Sequence, residues 1–235
     1  MQVAPASPVA RLWERALNLL FPPRCVSCGR FGALICESCR ANVTPALPPR
    51  CRVCWMPADA AVCPRCHNLR PHFTAVRAAF VYGGPARDAV HALKFNGVSA
   101  VAALMAEEMS RVLAGWSPTV DAIVPVPLSG HRRRVRGYNQ SELLARHVAR
   151  ATGLLLRPGA LARRRSTAPQ VQQPDEESRR RNVADAFESG SQLVSGGVLL
   201  IDDVVTTGAT LDACARVLLD SGANAVYGLV FARED

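Results

Sequence analysis

Lysine is almost missing from this 235-residue chain: Lys94 stands alone among 28 basic residues, and the rest are arginines. A bias of that kind belongs to a genome's composition as readily as to selected phosphate contacts. The formal net charge of +9 is therefore no argument by itself for a nucleic-acid partner. Aromatic residues are scarce at 6%. Few platforms exist on which unpaired bases could stack, which weighs against a protein devoted wholly to gripping single strands. Long apolar runs are absent, and none approaches the ~20 residues a membrane-spanning helix needs. Charged residues amount to 20% and apolar ones to 49%, a balance that excludes a largely disordered chain.

Residues 1–23 carry Val9, Leu12, Trp13, Ala16, Leu17 and Leu20 at helical spacing, ended by Phe21, Pro22 and Pro23. This predicts an N-terminal helix of about three turns, halted by proline. Glu14 and Arg15 interrupt the apolar stretch and no small-residue cleavage site follows, so it does not read as an export signal. A cytoplasmic, reducing setting is the expectation.

Cysteine is what the chain has in quantity, and in one place. Cys25, Cys28, Cys36 and Cys39 form one CxxC…CxxC unit; Cys51, Cys54, Cys63 and Cys66 repeat it. Each CxxC turn aims two thiolates at one point, and a second turn completes tetrahedral S4 coordination of zinc. Two structural zinc ions are expected over residues 24–70, in a small module that the metal stabilises because so short a segment builds little core. A disulfide framework competes with this reading but needs an oxidising compartment. Redox use of CxxC needs a strand-turn-helix context that is missing here. Metal also corrects the charge: eight thiolates around two Zn2+ lower +9 to about +5. His67 and His72 are spectators beside filled S4 sites, and the lone Cys214 reads as a small core hydrophobe.

From residue 71 to 235 the pattern changes. Strand-like stretches at 72–82, 121–127, 197–201 and 225–231 alternate with helical periodicity at 86–95, 99–113, 141–152 and 210–219. His147 falls on an apolar helix face and is expected to pack. The alternation predicts an α/β domain with a mainly parallel sheet flanked by helices on both faces.

The run from Val198 to Thr210, VLLIDDVVTTGAT, carries the sharpest chemistry. A buried strand delivers Asp202 and Asp203 at its C-terminal end, where open α/β sheets bind ligands. Thr206, Thr207, Gly208, Ala209 and Thr210 then open a helix. Free backbone N–H groups, hydroxyls and a glycine that permits close approach suit a phosphate. Two acids beside a phosphate require something else to hold, such as ribose hydroxyls or Mg2+. The stretch reads as a ribose-phosphate site.

These residues resemble the phosphoribosyl-pyrophosphate (PRPP) signature of type I phosphoribosyltransferases. Carried over, the resemblance assigns Asp202 and Asp203 to the ribose and residues 206–210 to the 5-phosphate. LKFNG at 93–97, VPVPL at 124–128 with Arg132, RGYNQ at 136–140, TAPQ at 167–170 and RRRN at 179–182 leading to Phe187 are similar to the ComF family. That family is tied to competence and DNA uptake in bacteria. It joins a double zinc ribbon to a phosphoribosyltransferase-like domain, so the resemblance covers nearly the whole chain. The sequence QVQQPD at 170–175 departs from the family's pattern in lacking a leucine and in being one residue longer. The resemblance implies PRPP and Mg2+ at Asp202, Asp203, Lys94 and Pro127. It places Arg132 and Arg136 at the pyrophosphate, a role guanidinium forks suit. Arg163, Arg164, Arg165 and Arg179, Arg180, Arg181 bracket a segment resembling a loop that covers the site.

Two function classes remain. One is an enzyme in which a nucleophile displaces pyrophosphate from ribose C1, with the arginines stabilising the leaving charge. The other is a DNA-uptake module, working with uptake-machinery proteins, in which arginine loops grip single-stranded DNA and Tyr138 stacks on a base while the pocket senses a ligand. No acceptor motif is legible.

Overall fold

The computed structural model describes residues 22–164 and 186–235. The expected N-terminal helix, nearly all of it, and the TAPQ and RRRN stretches lie outside the described residues.

Two cysteine units come first. In each, a ligand cysteine caps a short helix: Cys36 precedes α1 (Glu37–Ala41) and Cys63 precedes α2 (Pro64–Leu69). The sheet domain follows as β1 (Ala75–Val81), α3 (Gly84–Phe95), α4 (Val101–Trp116), β2 (Ala122–Pro125), α5 (Gly130–Arg136), α6 (Gln140–Thr152), β3 (Leu155–Leu156), β4 (Leu161–Arg163), β5 (Phe187–Ser189), β6 (Gly196–Val205), α7 (Ala209–Asp220) and β7 (Ala223–Arg233). Five strands form one sheet in the order β1-β7-β6-β2-β3, every pairing parallel, while β4 and β5 make a small antiparallel pair.

The apolar run of β6 shows why the sheet is two-faced. Val198 and Leu200 join one core with Leu211, Cys214 and Leu218 of α7; Leu199 and Ile201 join another with residues of α3, α4 and α6. Alternate side chains thus bury on opposite faces, so the strand is apolar without a break. Gly196 and Gly197 start β6 because a side chain there would run into the Asp121 carboxylate or the Thr119 carbonyl. The Asp121 carboxylate instead accepts the Gly197 N–H at 2.8 Å.

The cysteine module is docked against the sheet rather than hung from it. Val81 donates its N–H to the Thr44 carbonyl at 2.9 Å, Ala46 donates to Ala79 at 3.0 Å, and Val76 donates to Val53 at 2.7 Å. These bonds cover the outer edge of β1, which would otherwise be open to pairing. The first unit reaches α3 and α4, with Ser27 Oγ donating to Asp88 at 2.7 Å and Arg40 paired to Glu108. The second unit lies in the α7 core. Among the described residues, no helix is long and apolar enough to cross a membrane.

Candidate functional site

The four sulfurs of Cys25, Cys28, Cys36 and Cys39 lie within 4.8 Å of one another, as do those of Cys51, Cys54, Cys63 and Cys66. This fixes the pairing of the four CxxC turns: neighbours in sequence, two sites. Sγ separations of 3.6 Å (Cys28–Cys36) and 3.7 Å (Cys54–Cys63) exclude disulfides at ~2.05 Å and fit the ~3.8 Å edge of a ZnS4 tetrahedron. The Cys36 and Cys63 amides donate to the sulfurs of Cys25 and Cys51 at 3.4 and 3.3 Å. Burial raises both thiols, but backbone N–H donors outweigh it and bring Cys25 and Cys51 down to about 6. Cys66, buried beside other thiols, is pushed up. Thiols this crowded deprotonate together only around a cation, and both quartets fit zinc.

The acidic pair sits inside β6 rather than at its end, because the strand continues to Val205. Asp203 is buried. One of its oxygens meets Lys94 Nζ at 2.8 Å, and the other, Oδ2, is buried with no hydrogen-bond partner. Asp202 is half-buried and accepts the Ser141 hydroxyl at 2.8 Å and the Asp203 N–H at 2.9 Å. Burial first, and the neighbouring Asp203 charge second, raise the Asp202 carboxyl to about 7.

Around the acids opens a cleft of about 650 Å³. Lys94, Pro127, Arg132, Arg136, Asp202, Asp203 and Thr210 all line it, so most of the predicted residues converge. Ser129 caps α5, the short helix that carries Arg132 and Arg136. Arg136 donates to Gln140 Oε1 and lies 5.5 Å over the Phe95 ring; Arg132 is exposed at the mouth. Arg163 also faces the cleft, whereas Arg133 and Arg134 do not line it.

The turn after β6 divides its residues. Thr210 faces the acids, but Thr207, Gly208 and Ala209 line a neighbouring hollow of about 320 Å³, shared with Arg65, His72 and Phe73. Thr206 is exposed. Gly208 adopts φ +80° at the N-cap of α7, and Thr207 Oγ1 accepts the Ala209 N–H at 3.4 Å.

Ser141 is a cleft residue that sequence reasoning missed. Its place just after the Asn139 cap of α6 signals only a helix start. Tyr138 is half-buried: its ring packs against the α3–α4–α6 core and its hydroxyl donates to the Leu93 carbonyl. The exposed ring at the cleft is Phe95. His147 is half-buried, its pKa lowered by burial, and Cys214 is fully buried, both as expected.

Residues 16–70 match the double zinc ribbon domain family. The DNA utilization protein YhgH of Salmonella typhi is 34% identical over 200 residues, which are 82% of this chain and 87% of that protein. The competence protein ComFC of Bacillus subtilis is 27% identical over 203 residues, 80% and 79% of the two chains. Among solved structures, the glutamine PRPP amidotransferase from B. subtilis is similar at 23% identity, with a TM-score of 0.38. That likeness spans 55% of this chain and 26% of the amidotransferase.

Proposed function

The chain belongs to the ComF family of competence and DNA-utilization proteins, a double zinc ribbon followed by a type I phosphoribosyltransferase-like domain, and from that premise we propose that its cleft binds PRPP or a related ribose phosphate with Mg2+. The observation that carries this reading is the convergence of Lys94, Arg132, Arg136, Asp202 and Asp203 on one cleft, around a buried carboxylate oxygen with no donor. A carboxylate left so is suited to a ribose hydroxyl or a hard cation. Asp202 and Asp203 would hold the metal, which supplies charge neutralisation between the acids and the diphosphate. Arg132 and Arg136 present guanidinium groups to pyrophosphate, stabilising the charge that develops as its bond to C1 breaks. Lys94 balances Asp203 while the cleft is free. The turn at 206–210 receives the 5-phosphate through backbone N–H groups. The protein acts in the cytoplasm, where eight thiolates stay reduced, and takes part in DNA uptake or use.

Calorimetry with PRPP and Mg2+ tests the reading. Binding is expected, and Asp202→Ala/Asp203→Ala abolishes it; no binding to the unaltered protein refutes it. Release of pyrophosphate across a panel of nucleobases and amines identifies the acceptor.

A second reading draws on the exposed Arg132, Arg133 and Arg134, of which Arg132 shares the cleft with the exposed Phe95 ring. Here the module grips single-stranded DNA and the cleft is a sensor. It requires salt-sensitive binding that weakens when the three arginines become alanine.

A further inference from the structure

Arg233, the last residue of β7, is the largest fully buried side chain among the described residues. Its Nη1 donates to the Cys54 carbonyl at 2.7 Å and its Nη2 to the Thr206 carbonyl at 3.1 Å. Cys54 belongs to the second cysteine quartet; Thr206 begins the turn that opens α7. One guanidinium therefore spans from a metal-ligand turn to the predicted phosphate turn. Its nearest carboxylate oxygen, on Asp235, is 3.9 Å from Nε, which has no hydrogen-bond partner. Asp235 is held from the other side by Arg50 through two bonds of 2.7 Å, and Arg50 also donates to the Trp55 carbonyl at 2.9 Å.

A guanidinium buried with so weak a counter-charge is costly, and an apolar residue at the end of β7 would be less so. What Arg233 does that an apolar residue cannot is bind two carbonyls on separate segments. The Cys54 carbonyl stands where it does because its own thiolate is committed to the quartet. Among the described residues the first quartet shows no link of this sort: the polar contacts of its unit run to Asp88 and Glu108 on α3 and α4.

We propose that Arg233 is a positioning residue that couples metal in the second quartet to the shape of the turn at 206–210. Ribose-phosphate binding then depends on zinc in that quartet and not on zinc in the first. The coupling rests on the ribose-phosphate reading only for its last consequence; the link between metal and turn can be read without ligand.

The experiment uses the full-length, zinc-loaded chain. Amide hydrogen exchange is followed at 206–210, with 198–201 in the middle of β6 as internal reference, alongside zinc content and PRPP calorimetry. In Arg233→Met, exchange at 206–210 should rise at least about tenfold, the scale of one lost charge-assisted bond, with the reference unchanged and both zinc ions retained. Stepwise chelation of the unaltered protein should leave the turn unchanged on loss of zinc from the first quartet and loosen it on loss from the second. In Arg233→Met that second loss should add clearly less than it does in the unaltered protein, because the guanidinium link is already cut and only the shared core remains. Arg233→Lys, whose compact ammonium reaches one carbonyl at a time, should fall between, and it decides by the same criteria if the methionine variant does not fold. Unchanged exchange in Arg233→Met, or a turn that responds equally to either zinc, overturns the coupling. Failure of the unaltered chain to bind PRPP, with the exchange coupling intact, would instead remove the ribose-phosphate reading and leave the coupling standing.

Discussion

Cys28 of the first quartet is exposed and Cys39 half-exposed, whereas Cys51, Cys54, Cys63 and Cys66 of the second are all buried in one core with Val76 and Leu211. The two units share a motif, a spacing and a helix capped by a ligand cysteine, yet they meet different surfaces. The first rests against α3 and α4 through polar contacts and a few partly buried side chains, Val26, Ile35 and Val43. The second supplies part of the hydrophobic core and, through Arg233 and Arg77, touches the strands themselves. A metal site that also fills a core cannot be lost without leaving buried thiols and a void; one at the surface can be lost more locally.

The largest test of this contrast is Cys66→Ser against Cys28→Ser, read by thermal unfolding with zinc content. Cys66→Ser is expected to cost on the order of 3–5 kcal/mol, because it removes a ligand and buries an unmatched hydroxyl. Cys28→Ser should cost less than half as much. Equal losses would mean that burial does not distinguish the two sites.

A change in the cleft, outside both cysteine quartets, supplies a reference for both. The Asp202 carboxyl keeps its proton up to about 7 in the folded protein but loses it near the ordinary value of 3.8 when unfolded. The native state therefore binds the extra proton between those values, and its stability falls as pH rises through that window. Asp202→Asn keeps an acceptor for Ser141 and removes the titration. Its stability relative to the unaltered, ligand-free protein should grow from pH 4 to 7 and then level, at on the order of 1–3 kcal/mol. Parallel profiles would refute the assignment. Because zinc ligands protonate alike in both proteins, the difference isolates Asp202.

Much of this arrangement was legible in the chain, for identifiable reasons. CxxC spacing is set by metal geometry over a few residues, so the eight ligands follow from local pattern, while the pairing of the four turns is seen only in the fold. The unbroken apolar run before Asp202 required a strand covered on both faces. What was not legible depends on contacts far apart in sequence. Ser141 reaches Asp202 across 61 positions, and Arg233 reaches Cys54 across 179; neither residue type nor spacing announces them. The docking of the ribbons along β1 escaped for the same reason: an edge strand's need for cover does not say which segment provides it. The same holds for Tyr138, whose hydroxyl reaches the Leu93 carbonyl across 45 positions and leaves the ring half-buried.

A middle-sized test bears on the clamp that joins the second unit to β1. The Arg77 guanidinium lies 4.1 Å over the Trp55 ring and 4.8 Å over Trp116, and donates to the Arg52 carbonyl at 2.9 Å. Arg77→Ala should cost about 1–2 kcal/mol, since a half-desolvated cation–π stack and a backbone carbonyl's donor go together. Arg77→Lys should recover only part of it, as an ammonium cannot lie flat against two rings. A loss no larger than experimental scatter would show that the edge bonds alone hold the unit.

The smallest effect belongs to the first unit's counterpart, the Arg40–Glu108 pair. Arg40 is half-exposed and Glu108 is shared with Arg111, so solvent screens the attraction and a second partner remains when the first is removed. Arg40→Ala should cost no more than about 0.5 kcal/mol at low salt, and the difference should vanish as ionic strength rises. Thermal unfolding in a salt series checks this, with zinc retained throughout. A loss matching that of Arg77→Ala, and insensitive to salt, would mean that the first unit is gripped as firmly as the second.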